Sequence, residues 1–303
     1  MSTSVNGSRA SVVVHKSIED LLKKFPNEGT PEKIIRRLAR EKVTIAKSRL
    51  WTGPPYCPKE FASIFGIKCK EVHHDIDGEG RILLRPNGRI EIEYRSQRLP
   101  ERQRFTIFHE FAHTLFPDYC EFLPLHHTPH KKTSDPMKQF ERLCDVGASE
   151  LLLPFEDFTA DLQGLAWLGF ESIKNLRERY HSSIDATIYR MIDLITHIGV
   201  AAAFFTDQKG TNAGYGPLWV KHISKSSLFK GYVPSGVTLP SNSVVRQCYR
   251  DKLDLTEAVK ETWWINRSPR TWLVQAALLP SVPEDRNYPK VVALLFPSGY
   301  RKK

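Results

Sequence analysis

At 303 residues, 41% hydrophobic and 26% charged, with a formal net charge of +10, the chain is long enough for two domains with separate cores and has an ordinary globular composition. It has no apolar run near the ~20 residues of a membrane span, and its polar start, Met1-Ser2-Thr3-Ser4, lacks a signal-peptide core; the expectation is a protein that neither spans a membrane nor carries a signal peptide. Five cysteines, odd in number and never spaced C-x-x-C, argue against a disulfide frame or a zinc knuckle and for reduced thiols in a cytoplasmic protein.

Residues 1–29 read as a flexible tail with one short helical stretch, Ser17 to Phe25. Thr30-Pro31-Glu32 is a helix start, with Thr as cap and Pro in the first turn. Ile34, Ile35, Leu38, Ala39 and Val43 then recur at helical spacing, which predicts a helix to about Leu50. Trp51 to Pro58 breaks it. Lys59 to Phe65 reads as a short helix and Ile67 to Glu71 as an extended piece. His73 and His74 are adjacent, so they share no face and read as surface loop. Arg81 to Tyr94 predicts a β-hairpin turning at Asn87-Gly88. Ile90, Ile92 and Tyr94 alternate with Glu91 and Glu93, so one face of that strand is buried.

Leu99 to Arg104 leads into the stretch Phe105 to Phe116, which contains His109-Glu110-Phe111-Ala112-His113, an H-E-x-x-H. Residues four apart on a helix lie on one face, so both imidazoles can reach one ion, with Glu110 beside them to take a proton from water. Phe105, Ile107, Phe108, Phe111 and Leu115 make this a buried helix, where two imidazoles and a carboxylate without partners would cost several kcal/mol. A bound cation removes that cost. Catalytic zinc usually has three protein ligands. The extension H-E-x-x-H-x-x-G-x-x-H fails here, because Phe116 and Tyr119 hold the glycine and histidine places. The third ligand must come from further along. Phe140 to Pro154 predicts a second buried helix, on which Glu141 and Asp145 share a face. The small Gly147 and Ala148 let it lie close against the first. Between the helices, Pro117 to Met137 reads as a mobile loop; its His126, His127 and His130 are not taken as ligands.

At this point the chain resembles the ImmA/IrrE metallo-endopeptidases, whose pattern is H-E-x-x-H followed by E-x-x-A-N-x-x-A-x-x-L-L-x-P. The second part stands here as Glu141-x-x-Cys144-Asp145-x-x-Ala148-x-x-Leu151-Leu152-x-Pro154, with Cys144 for the usual Ala and Asp145 for Asn. The resemblance covers about residues 30 to 200 and is specific in the two helices. It implies that His109, His113 and Glu141 hold a metal, Zn²⁺ with Mn²⁺ or Fe²⁺ as alternatives, and that Glu110 is the general base. Asp145 would orient a ligand histidine through its free ring N–H. It also implies a substrate class, a DNA-binding helix-turn-helix repressor whose cleavage switches on a stress or mobile-element response. The strand Ile90 to Tyr94, just ahead of the metal helix, has two equal readings: the cleft edge to which a peptide substrate adds, or an ordinary half-buried strand.

Beyond Pro154, Phe155 to Leu165 and Phe170 to Tyr180 are helical, and Ser183 caps a third helix with the stripe Ile184, Ile188, Met191, Ile192. This 156–198 segment has the outline of a helix-turn-helix, with core packing as the preferred reading. From 199 to 303 the pattern changes to strand-like runs at Val200–Thr206, Leu218–Ile223, Thr271–Leu279 and Val291–Phe296, with helices expected at Ser243–Asp251 and Thr256–Glu261. That order suggests an antiparallel sheet with helices on one side, compatible with the GAF-like sensor domain some family members carry. Trp263, Trp264 and Tyr249 are candidates for its ligand pocket, or for its core. The expected fold is thus α+β: a mainly helical zincin-type peptidase domain over 30–155 with a small antiparallel sheet, then helices, then an α/β GAF-like domain, in a monomer. The rival function is a DNA-binding regulator with a structural metal site, favoured by the net charge. The Lys and Arg residues are scattered, however, and gather on no recognition helix.

Overall fold

A computed structural model describes residues 15–74, 76, 78–122, 135–207, 218–234, 237, 239–265, 268–279 and 291–300. The chain forms two compact units, 1–154 and 155–303. The helices expected at 156–198 belong to the same unit as the C-terminal sheet. None of the described helices is long and apolar enough to cross a membrane. All five cysteines are free thiols.

The described part of the first unit opens with α1 (Lys16–Lys24), close to the helical stretch expected at Ser17 to Phe25, and it is docked. Ser17, Ile18 and Leu21 are buried, because Ile18 and Leu21 lie three apart on one face. The Ser17 hydroxyl donates to the buried Asp118 carboxylate at 2.8 Å. Helix α2 (Pro31–Ser48) starts as the sequence predicts, with the Thr30 hydroxyl accepting from the Lys33 N–H, and buries Ile34, Ile35, Ala39 and Val43. Helix α3 (Pro58–Ile64) follows. Its Phe61 packs against Trp51, Phe108 and Phe111 at centroid distances of 4.8, 5.6 and 4.8 Å. The Trp51 indole donates to the Cys57 carbonyl, so its polar end is satisfied inside the core.

Strands β1 (Lys68–Val72), β2 (Gly80–Leu84) and β3 (Ile90–Arg95) form one sheet in the order β1-β3-β2. The hairpin turns at Asn87-Gly88, with Gly88 at φ +74°, a conformation glycine adopts without strain. Two expectations change. The sheet is mixed rather than antiparallel, because β1 pairs parallel to β3. Strand β3 is central, hydrogen-bonded on both sides, so its backbone is not free to receive a substrate strand; β2 is the outer strand of the hairpin. Helix α4 (Pro100–Ala112) begins five residues before Phe105 and tightens into a 3-10 turn at His113–Leu115. Two segments expected as loop are helical: α5 (Tyr119–Phe122) and the first turn of α6 (Asp135–Leu152). His126, His127 and His130 lie outside the described residues.

The second unit holds α7 (Phe155–Gln163), α8 (Phe170–Tyr180), α9 (Ile184–Leu194), α10 (Val244–Asp251) and an antiparallel sheet. Its strands are β4 (Ala201–Asp207), β5 (Leu218–Lys225), β6 (Leu255–Ile265), β7 (Ser268–Leu278) and β8 (Val291–Pro297), in the order β5-β4-β8-β7-β6. Thr256–Glu261, expected as helix, lies within β6. Its Glu, Ala and Lys residues favour helix locally, but pairing with β7 and burial of Glu261 and Trp263 outweigh propensity. Helices cover both faces of the sheet, not one. Ala203, Phe205, Val274 and Leu295 pack in the core with residues of α10. On the other face Tyr189 of α9 stacks on Phe204 at 5.1 Å, and Gln275 accepts from the Phe170 N–H at the start of α8. Trp263 is core. Its indole donates to Glu261, whose other oxygen accepts from the Val244 N–H and so caps α10. Tyr249 is buried with it, whereas Trp264 is 55% exposed.

Candidate metal centre

The site is built where α4 and α6 touch. Gly147 makes the approach possible: a β-carbon there would stand 2.9 Å from that of Ala112 and 3.1 Å from Leu115 Cδ1. His109 near the end of α4 and His113, four residues on in the 3-10 turn that continues it, come together with their ring centroids 5.3 Å apart. One ligand atom from each of His109, Glu110 and His113 lies within 4.8 Å of the others. His113 and Glu110 are buried, and His113 Nε2 is 3.9 Å from a Glu110 oxygen.

Helix α6 answers with three side chains from a single turn, Glu141, Cys144 and Asp145. Glu141 Oε2 lies 3.1 Å from His109 Nε2, and Asp145 Oδ1 lies 2.9 Å from His109 Nδ1. Cys144 Sγ lies 3.6 Å from His113 Nδ1. The structure thus groups His109, Glu110 and His113, while Glu141 and Asp145 are placed against His109 alone. The Cys144 contact was not anticipated, although its place three residues after Glu141 puts it on the same helix face. Nor was the wall formed by Phe140, which packs against His113 at 5.3 Å and carries the His15 ring stacked on it at 4.5 Å. On the far side of Glu110, β2 begins at Gly80, where a β-carbon would stand 2.5 Å from Thr106 Cγ2 and 3.2 Å from Glu110 Cγ.

Burial disfavours a charged His109, but the hydrogen bonds to Asp145 and Glu141 and the charge of Glu110 outweigh it and raise its pKa to about 10. Three carboxylates, Glu110, Glu141 and Asp145, thus lie around the two imidazoles. Burial, with the nearby Glu141, Glu110 and Asp145 charges, pushes the Cys144 thiol well up, so it stays protonated. Such a donor set fits a divalent cation, which takes neutral imidazoles and offsets carboxylates in one step. The spacing agrees: two ligand atoms ~2.0–2.1 Å from a tetrahedral ion are about 3.3 Å apart, close to the 3.1 Å between His109 Nε2 and Glu141.

Residues 62–191 match the family model described as IrrE N-terminal-like domain. The chain is 28% identical over 166 residues to the radiation response metalloprotease IrrE of Deinococcus deserti, an alignment covering 54% of this chain and 58% of that relative. The chain therefore spans little more than half the length of that curated relative. Among solved structures it resembles a Mycobacterium tuberculosis transcriptional regulator, with a TM-score of 0.56 and 15% identity over 92% of this chain and 80% of that one, a likeness of fold. Over residues 62–191, then, the chain is similar to the IrrE N-terminal-like domain found in metallopeptidases of the ImmA/IrrE kind.

Proposed function

We propose that the protein is a zinc-dependent endopeptidase whose substrate is a protein, a helix-turn-helix repressor in the reading the family resemblance supports. Its cleavage would release a stress or mobile-element response. One observation carries the proposal: one ligand atom from each of His109, Glu110 and His113 lies within 4.8 Å of the others, and Glu141 and Asp145 of α6 reach His109 at 3.1 and 2.9 Å. His109, His113 and Glu141 hold the metal, with Mn²⁺ or Fe²⁺ as alternatives to Zn²⁺. A metal held there supplies Lewis acidity towards water and the scissile carbonyl. Asp145 fixes the His109 ring through Nδ1 and leaves Nε2 for the metal. The Glu110 carboxylate takes the proton from the attacking water and passes it to the leaving amine. The substrate adds as a strand to the outer edge of β2, which starts beside Glu110. The second unit serves as a GAF-like sensor, in keeping with its antiparallel sheet and α10.

The test is incubation of the full chain, loaded with zinc, with the repressor encoded beside it. Site-specific cleavage that Glu110→Gln abolishes supports the proposal. A wild-type rate in Glu110→Gln refutes it.

The DNA-binding alternative draws on the net charge of +10. Helix α9, the recognition helix it requires, speaks against it. Its exposed residues are Tyr189 and Asp193, while Arg190 is 1% exposed and 3.5 Å from Asp193. A helix without an exposed cation has nothing to neutralise phosphate.

A further inference from the structure

We infer that Cys144 is a positioning residue of the metal centre: its sulfur accepts the Nδ1–H of His113 and holds that ring in the tautomer that turns the Nε2 lone pair to the metal. The inference rests on the proposed metal site. A neutral imidazole carries one proton, on Nδ1 or on Nε2, and only the Nδ1–H form can ligate through Nε2. Ligand histidines are therefore commonly held by an acceptor at the second ring nitrogen. For His109 that acceptor is Asp145, at 2.9 Å. For His113 the group at Nδ1 is Cys144 Sγ, at 3.6 Å, within reach of a bond to sulfur.

The two partners are consecutive on α6, and the two histidines are one turn apart on α4. One helix thus sets both rings of the other, and Gly147 keeps the helices close enough for it. The partners differ in kind. Asp145 is a partly exposed carboxylate, whereas Cys144 is wholly buried. A sulfur there adds an acceptor without adding a fourth carboxylate to Glu110, Glu141 and Asp145. His113 is the more buried of the two histidines, so a neutral acceptor there avoids a second buried charge.

The test uses the full chain with zinc alone as probe, and measures zinc affinity by chelator competition. Cys144→Ala removes the acceptor with the residue the family pattern carries, and is expected to weaken zinc binding about 5-fold, below the 10–100-fold typical of stronger acceptors. Cys144→Asn is close in volume and supplies a neutral oxygen acceptor, so it is expected to stay within about 2-fold of the wild type. ¹⁵N spectra of histidine-labelled, zinc-loaded protein are expected to show His113 protonated at Nδ1, and that proton's resonance to shift in Cys144→Ala while the His109 resonance stays. A purely packing role would move the stability of the metal-free protein and leave zinc affinity and the His113 proton unchanged; that result overturns the inference. If the wild type takes up no zinc at all, the metal site itself fails, which is a separate outcome.

Discussion

Gly147→Ala sets two effects of opposite sign against each other. In a helix interior alanine is favoured over glycine by about 1 kcal/mol. The new methyl, however, would stand 2.9 Å from Ala112 Cβ, 3.1 Å from Leu115 Cδ1 and 3.4 Å from Ile35 Cγ2. Carbon contacts are comfortable at about 3.5–4.0 Å. Two of the three neighbours are short side chains on packed helices, so α6 must retreat from α4 by roughly 0.7 Å to restore that spacing. Such overpacking costs about 1–3 kcal/mol, so the net expectation is a loss of about 1 kcal/mol. The same retreat stretches the Asp145 and Glu141 contacts to His109, now 2.9 and 3.1 Å, to or beyond hydrogen-bond range. Zinc affinity is expected to fall about 10-fold or more. Urea denaturation of the metal-free protein and chelator competition measure the two terms separately. A variant about 1 kcal/mol more stable than the wild type, with unchanged zinc affinity, would refute the claim that this glycine sets the helix spacing.

Glu110→Gln is expected to keep zinc at wild-type stoichiometry and lower cleavage by at least about 10²-fold, since it keeps the shape and loses the base; elemental analysis and a cleavage assay read the two effects. His109→Ala and Glu141→Ala are expected to lose the metal, which the same elemental analysis checks. Glu150 is wholly buried, its carboxylate 3.0 Å from both Arg36 and Arg40 of α2. Glu150→Ala is expected to cost about 2 kcal/mol in urea denaturation, less than a fully buried pair because Arg40 is well exposed. For Glu93, burial alone would raise the carboxyl, but Arg81 and Arg85 beside it hold it below the ordinary carboxylate range. A depressed folded pKa gives stability that is complete above the unfolded value of about 4.3 and is lost as pH falls through the lower, folded one. Urea midpoints measured down through pH 4 are expected to fall less steeply in Glu93→Gln than in the wild type.

Most of the helices could be read from the sequence because their signals are local. Thr30 and Ser183 cap the helices they precede, and the hairpin turns at Asn87-Gly88. The histidine pair on α4 and the acidic pair on α6 need only the 3.6-residue period to be placed on a face. What local signals misjudged was decided elsewhere in the chain. The helix near Ser17 to Phe25 was legible but its docking was not, because the partner of Ser17, Asp118, is 101 residues away. Residues 256–261 have helix-forming side chains, yet the neighbouring strand β7 recruits them into β6.

By itself, then, the sequence placed two imidazoles and a carboxylate together on one helical stretch, and a carboxylate pair on one face of another. Periodicity within a helix does not depend on what surrounds it. Only the tertiary structure decided that β3 is central and β2 the outer strand, that α8 and α9 cover the second face of the sheet, and that a cysteine in the place of an alanine reaches His113. Strand order and helix approach are set by pairings between distant segments, and those are fixed by packing the whole core at once.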